Sequence, residues 1–326
     1  MWDPLLSPSA SGGVTTVVMG NCGVGAAPCR KTDRDFMIHL LEGVEDIPAE
    51  SIDAGVKWEV DGVEWESYPE YLDALDKLQY ACDITSLISH GQVRQWVMGH
   101  ERCNLSDKPG GPVSHPLTLE EKHAMAECVK EGIAAGAIGF STNRFSGHRD
   151  TSGVMVPGTL GDADEMIMIG KAVAEAGGGV YEMAADFSCY DDIPAEKRTR
   201  ERVQEHYNRE WGWLKFLAQE YGLTVNFGGG GPERRRQMDE ANAEIQANGG
   251  SGRITCQVFA RPQAVIMVSP HRTISSRFHH RHLHHRLSAG LGIAHAPVQA
   301  GAALPGPPEA PPHRDALPPR RPLRPR

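Results

Sequence analysis

Short apolar segments alternate with amphipathic segments through most of this chain. The apolar segments are rich in β-branched residues and lack regular polar alternation, which is typical of strands buried on both faces of a parallel sheet. They lie at Val14–Met19, Ile84–Ile88, Ala137–Phe140, Val180–Ala184, Leu223–Phe227 and Ile254–Phe259. The pattern therefore predicts six parallel strands separated by helices.

Helix starts are marked by side chains that can cap the first turn. Ser67 with Glu70 and Thr118 with Glu121 have the spacing of a capping box, and Asp162 predicts a third N-cap. Further helices are predicted around Trp211–Tyr221 and Glu233–Asn248. Six such strands fit an open doubly wound sheet as well as a barrel. No GxGxxG segment follows the first strand, which argues against a dinucleotide site.

The composition changes after Met267. Residues 268–326 contain nine Arg, no Lys and only two acidic residues, Glu309 and Asp315, and are rich in Pro, His and Ala. No period in this segment would bury a face, so we expect a disordered tail, and we hypothesise out-of-frame translation of a GC-rich gene. The predicted division is a body over residues 1–267 and a tail over residues 268–326.

Charge and cysteine usage limit the classes of partner and compartment. The net charge is −9, and because the tail is basic the body is still more acidic, which argues against nucleic-acid binding. The seven cysteines are odd in number and contain no CxxC pair, so we expect free thiols in a reducing compartment. We find no basic leader with an apolar stretch and no segment of roughly 18–20 apolar residues, so we expect a cytoplasmic protein that does not contact membranes.

Polar residues follow several predicted strands, where a parallel barrel places its function. Cys22 lies in Gly20-Asn-Cys-Gly23 and is either a zinc ligand or a small buried residue. His90 is either a base or ligand, or a structural histidine. Glu182 and Asp186 are candidates for metal binding or for ion pairs with arginine.

A second group of polar residues at the strand ends suits substrate binding. Arg94, Arg144 and Arg261 can hold a substrate carboxylate, although salt bridges around a barrel mouth are the alternative. Asn143 and Asn226 complete the predicted pocket.

Seven segments together resemble one enzyme family, the N-acyl-D-amino-acid deacylase (D-aminoacylase) branch of the amidohydrolase superfamily. They are Met1–Ser9, Gly13–Gly25, Leu41–Pro48, Trp65–Leu75, Gly136–Thr142, Val156–Thr159 and Arg253–Pro262. The resemblance implies a (β/α)8 barrel of the TIM type, a zinc cofactor and hydrolysis of the amide of a small N-acyl amino acid. Cys22 matches the family cysteine that binds metal at the end of the second strand.

The chain also departs from the pattern of that family. The family's His-x-His pair has no counterpart before Trp2. No segment after Met267 matches the strand that carries the family's general-base Asp. The family's histidines on two further strands are also missing from Val180–Asp186 and Leu223–Phe227. We therefore expect an incomplete barrel of about strands 2–7 that is inactive as it stands. The alternatives are a non-catalytic fragment and a barrel remnant that binds carboxylates; the oligomeric state stays open.

Overall fold

The computed structural model describes residue 3 and residues 5–103, 117–185, 187, 197, 199–228 and 231–258. The Arg-rich segment from residue 268 onward lies outside these residues. The division of the chain near residue 267 therefore stays a prediction.

All six predicted strands are present and form one parallel sheet. They are β1 (Thr16–Met19), β4 (Asp83–Ser89), β5 (Gly139–Asn143), β6 (Val180–Ala184), β7 (Thr224–Gly228) and β8 (Arg253–Gln257). Their order across the sheet is their order along the chain. A doubly wound sheet reverses its order at a switch point, whereas a barrel adds each strand beside the previous one. The sheet is curled, and the prediction of an incomplete TIM-type barrel is confirmed.

Ten helices are assigned within the described residues. They are α1 (Ser7–Ser11), α2 (Arg34–Glu45), α3 (Ala49–Gly55), α4 (Tyr68–Asp76), α5 (His90–Met98), α6 (His100–Cys103), α7 (Leu119–Ala134), α8 (Ala163–Glu175), α9 (Arg200–Tyr221) and α10 (Pro232–Ala247). Both capping boxes form, at the starts of α4 and α7, and Asp162 caps α8 by accepting from the Glu165 backbone N–H. No helix in the described ranges is both long and apolar enough to cross a membrane.

An insertion between β1 and α4 was not predicted as secondary structure. It contains α2, α3 and a small antiparallel hairpin of β2 (Glu59–Val60) and β3 (Val63–Glu64). The rings of Trp58 and Trp65 stack at 5.1 Å, and Arg34 lies over the Trp58 ring. These aromatic contacts attach the hairpin to the start of α2.

The two faces of the sheet differ in chemistry. Parallel strands in register place paired residues on the same face. One row across β4 to β8 is apolar and packs against the helices: Ile88, Phe140, Tyr181, Val225 and Ile254. The neighbouring row, on the inner face, is polar: Ser89, Ser141, Glu182, Asn226 and Thr255. The inner row lies near the carboxyl ends of the strands, where barrels of this type carry their sites.

Replacing Phe140 with alanine tests the outer core. Phe140 is fully buried and contacts the rings of His90 and Tyr181. We expect F140A to lower the free energy of unfolding by about 3 kcal/mol, because it removes a large buried ring and leaves a cavity. The measurement is urea unfolding followed by circular dichroism.

The matched control is F216A. Phe216 is 40% exposed on α9, so its loss should change the free energy of unfolding by less than about 1 kcal/mol. Equal effects of the two substitutions would contradict this packing of the sheet.

Candidate active site

The centre of the site is a tight turn after β1 that crosses the inner face of the sheet. The backbone N–H of Cys22 donates to Glu182 Oε2 at 2.9 Å, and the N–H of Gly23 donates to Ser141 Oγ at 3.2 Å. Ser141 Oγ in turn donates to the carbonyl oxygen of Gly20. The turn is therefore bound to two residues of the polar inner row.

Glycine is required on both sides of Cys22. Gly20 and Gly23 have φ of 86° and 69°, in the left-handed region that glycine adopts most easily. A Cβ at Gly23 would lie 2.6 Å from the backbone nitrogen of Asn143, and one at Gly20 would overlap the carbonyl oxygen of Leu87. Cys22 itself has φ of 62°, a strained value for a residue with a side chain. This geometry brings the turn directly onto the strand ends.

Glu182 is a buried acid facing this turn. The residue is 2% exposed, and burial raises the pKa of its carboxyl to about 8, although the Cys22 N–H acts to lower it. Burial likewise raises the pKa of the Cys22 thiol to about 12, with Glu182 and Glu45 adding to the effect. Both groups therefore hold their protons at neutral pH.

The same two side chains are the metal donors available at the turn. A catalytic zinc site takes three protein ligands and leaves a fourth position open. Among the described residues, no group of three or more His, Cys, Asp or Glu side chains is placed to hold a metal ion. Cys22 and Glu182 thus supply a thiolate and a carboxylate when deprotonated, but the described part does not complete a zinc site.

A chain of side-chain hydrogen bonds spans the mouth of the sheet. Asn21 donates to Gln257 at 3.2 Å, Gln257 donates to Asn226 at 2.7 Å, and Asn226 donates to Thr255 at 2.7 Å. Asn21 follows β1 and Gln257 ends β8, which are the two outermost strands in the described sheet. The sheet is therefore curled enough for the turn after β1 to reach β8.

His90 and Arg94 lie in a buried ionic cluster with Glu165. His90 is fully buried and bonds Thr142 Oγ1 through Nδ1 at 2.8 Å and Glu165 Oε1 through Nε2 at 2.7 Å. The Nε atom of Arg94 lies 3.1 Å from Glu165 Oε1. Burial lowers the pKa of His90, and Arg94 together with His90 holds the pKa of Glu165 below its usual range despite burial. Both ring nitrogens of His90 are thus engaged between the sheet and α8, whereas Arg94 pairs with Glu165 and keeps a buried Nη1 without a hydrogen-bond partner among the described residues.

Arg144 is engaged in a similar way. It donates to Glu210 on α9 through Nε and Nη2 at 2.9 and 2.8 Å, and to the carbonyl oxygens of Thr159 and Gly161. Such a bidentate pair fixes the guanidinium in one orientation. Asp186 and Arg261 lie outside the described residues, so the predicted pocket is brought together only at Cys22, Glu182 and Asn226, with Asn143 at its edge.

One polar side chain at this end of the sheet was missed from the sequence. His148 lies in the loop after β5, and its Nδ1 is 2.8 Å from Asn143 Oδ1. Burial lowers the pKa of His148 to about 4. It lies eight residues beyond the predicted strand end at Phe140 and five beyond the observed end of β5, so it does not adjoin a strand as the predicted site residues do.

Comparison with known proteins gives partial relatives. An uncharacterized protein of Mycobacterium tuberculosis is 31% identical over 139 residues, which cover 43% of this chain and 21% of that protein. The D-aminoacylase of Alcaligenes xylosoxydans xylosoxydans is 28% identical over 176 residues, covering 54% of this chain and 28% of the enzyme. No protein-family model matches the chain. The chain thus spans about a quarter of the length of these curated relatives.

A solved structure supports the same architecture. The N-acyl-D-glutamate deacylase from Bordetella bronchiseptica, solved with zinc and a phosphonate inhibitor, superposes with a TM-score of 0.51. The sequence identity is 20%, and the match covers 80% of this chain and 45% of that enzyme. At this identity the comparison supports the fold.

The turn on the strand ends is tested by substituting Gly23. We expect G23A to lower the free energy of unfolding by about 2 kcal/mol or more, because the new Cβ meets the Asn143 backbone and the φ is positive. The control G62A also places alanine at a positive φ, but nothing lies within 4 Å of its Cβ, so we expect a loss of about 1 kcal/mol. The free energy of unfolding of both variants is measured in urea. If G23A is no less stable than G62A, the close packing of the turn against β5 is wrong.

The pKa of His148 predicts a pH dependence of stability. Its folded value, about 4, lies below the ordinary 6.5, so the unfolded chain binds more protons between these values and stability falls as pH decreases from 6.5 to 4. H148Q should lose roughly 2 kcal/mol less than the wild type between pH 7 and pH 4. Urea unfolding at several pH values measures this. The control H123Q, at an exposed position on α7, should keep the wild-type dependence of stability on pH. If the wild type, H148Q and H123Q all lose the same stability between pH 7 and pH 4, the predicted contribution of His148 is wrong.

Proposed function

We propose that this chain, which is related in sequence to the D-aminoacylase branch of the amidohydrolases, binds and hydrolyses the amide bond of a small N-acyl amino acid. One observation carries the proposal: the Gly-Asn-Cys-Gly segment that matches the family places Cys22 beside the buried carboxyl of Glu182, at the carboxyl ends of the strands. Two of the relatives are a D-aminoacylase and an N-acyl-D-aspartate deacylase, both of Alcaligenes xylosoxydans xylosoxydans.

The roles of the two side chains follow from their protonation. Without a bound metal, Glu182 and Cys22 favour their protonated forms at neutral pH and lie at the inner face of the sheet, so in that state they can donate hydrogen bonds to the carbonyl oxygen of an amide. Such donors stabilise the charge that develops on this oxygen when water attacks the carbonyl carbon. Ser141 and the Gly23 N–H hold the turn in place and thereby orient Cys22.

We include zinc in the proposal for two reasons: the family that the sequence resembles uses zinc, and the deacylase of the same fold was solved with zinc bound. Because the described residues offer two donors, a zinc site here needs a further ligand from the remaining residues. We assign no catalytic step to the metal. If zinc binds at the turn, both Cys22 and Glu182 must lose their protons, so metal binding should strengthen as pH rises.

Alkylation of cysteines provides a test of zinc binding that is independent of activity. We expect added zinc to slow the iodoacetamide labelling of Cys22 at least about fivefold, because a zinc-bound thiolate is shielded from alkylation. Labelling is mapped by mass spectrometry, with the partly exposed Cys82 as the internal control. E182Q should weaken the protection. Equal labelling of Cys22 with and without zinc would remove zinc from the proposal.

Hydrolysis itself is tested with N-acetyl-D-aspartate and its L-enantiomer, with and without added zinc. We expect release of the D-amino acid, reduced at least about a hundredfold in C22A and E182L, since each variant removes a group that donates to the carbonyl oxygen in the metal-free chain and that would bind zinc in the loaded chain. C82A serves as the matched cysteine control. If the folded wild-type chain releases no amine, the proposal fails and the expectation of a non-catalytic remnant is favoured.

The carboxylate-binding alternative is weakened at two of its three arginines. Arg94 and Arg144 pair with Glu165 and Glu210, although Nη1 of Arg94 is buried without a hydrogen-bond partner among the described residues, and Arg261 lies outside those residues. The six cysteines of the described part are free thiols, which supports our proposal of a reducing compartment such as the cytoplasm.

A further inference from the structure

The loop after β5 links His148 to the turn that carries Cys22. Nδ1 of His148 bonds Asn143, whose backbone nitrogen would lie 2.6 Å from a Cβ at Gly23. The carbonyl oxygen of His148 accepts from the N–H of Val156 at 3.2 Å. Val156 is fully buried and forms an apolar cluster with Val24 and Leu40, and Cys22 packs against this cluster. His148 is thus attached to the same end of the sheet as the proposed active site.

The orientation of the Asn143 amide is fixed by its two acceptors. Its Nδ2 donates to the carbonyl oxygen of Phe145 at 2.9 Å, and a carbonyl oxygen can only accept. Nδ2 also donates to Thr159 Oγ1, whose own hydrogen is donated to the carbonyl oxygen of Val156. The Oδ1 atom of Asn143 must therefore face His148 as an acceptor.

This orientation determines the tautomer of His148. Because Asn143 Oδ1 can only accept, the hydrogen in the 2.8 Å contact belongs to His148 Nδ1. Burial lowers the pKa of the ring to about 4, so the imidazole is neutral and carries one hydrogen. Nε2 therefore has a lone pair and no hydrogen at neutral pH.

The loop also holds the ring itself in place. The rings of Phe145 and His148 pack edge to face, with their centroids 4.9 Å apart and their planes at 88°. Arg149 donates to the carbonyl oxygens of Ser146 and Gly153, and its own carbonyl lies against Gly43 of α2. The ring is half-buried, and none of the described residues forms a hydrogen bond with Nε2. The loop thus fixes the position of the ring, and the lone pair of Nε2 has no hydrogen-bond donor among the described residues.

We propose that His148 Nε2 is a specificity-determining acceptor for the amide N–H of the substrate. The inference rests on the proposed function, because it assumes that a secondary amide enters at the strand ends beside Cys22. An acceptor without a hydrogen favours an amide N–H over an ester oxygen, since the ester offers only lone pairs. His148 therefore selects amides over the corresponding esters.

The test compares two ligands that differ at one position. N-acetyl-D-aspartate carries the N–H, and O-acetyl-D-malate carries an ester oxygen in its place. In the full chain labelled with ¹⁵N-histidine, we expect NMR to assign His148 as the Nδ1–H tautomer at pH 7. Adding the amide should shift the Nε2 resonance, whereas the ester should leave it nearly unchanged.

Variants extend the same comparison to kinetics. H148L should lower kcat/KM for the amide by roughly tenfold or more and for the ester by less than about twofold, because only the amide loses a hydrogen bond. H148Q, whose side-chain oxygen can accept, should recover part of the loss. The control H123L, at an exposed histidine on α7, should leave both substrates unaffected.

The outcomes separate this inference from the proposed function. The role of His148 would be overturned if the amide is hydrolysed while the Nε2 resonance stays unchanged. It would also be overturned if H148L lowers kcat/KM equally for amide and ester. Either result would leave the proposed function intact. A protonated Nε2 at pH 7 would also overturn the role of His148. If neither compound binds to the folded chain, as judged by thermal stabilisation and NMR, both proposals fail together.

Discussion

The turn from Gly20 to Gly23 on the inner face of the sheet is the contact on which the site depends. It brings a backbone N–H to the carboxyl of Glu182 and a strained cysteine to the ends of the strands. Positive φ at a residue with a side chain costs free energy and persists only where surrounding contacts determine it. Here Ser141 bonds both sides of the turn and Gly23 lies against the backbone of β5, so the surroundings hold Cys22 in this conformation.

Two buried ion-pair clusters connect the strand ends to the helices on the opposite side of the sheet. Glu165 on α8 pairs with His90 at the start of α5 and with Arg94 one turn further along it, and Glu210 on α9 pairs with Arg144, which follows β5. Buried pairs of this kind add little net stability but are costly to break, because breaking one leaves an unpaired charge. The loop that carries His148 begins at Arg144, so this pairing anchors the start of the loop as well.

The sequence predicted the sheet well and the site only in part. Strand positions follow from runs of β-branched residues, and helix starts follow from local caps such as Ser67 with Glu70, because both signals act within a few residues. The direction in which a side chain points after a strand ends depends instead on contacts with residues far away in the sequence. His90 follows β4 directly and begins α5, so its ring points to α8, and only the distant Glu165 reveals this. His148 was missed because it lies well beyond the predicted strand, and only the folded loop brings it to Asn143.

The curvature of the sheet joins these parts into one site. Parallel strands added in chain order form either a flat sheet with distant edges or a curled sheet whose edges approach. The bond between Asn21 and Gln257 exists only in the curled form, because the two residues belong to opposite ends of the strand order. Gln257 also bonds Asn226, which neighbours Glu182 in the inner row. A change in curvature would therefore move the amide chain and the Cys22 turn together, so the geometry around Glu182 is set by the whole sheet and not by β6 alone.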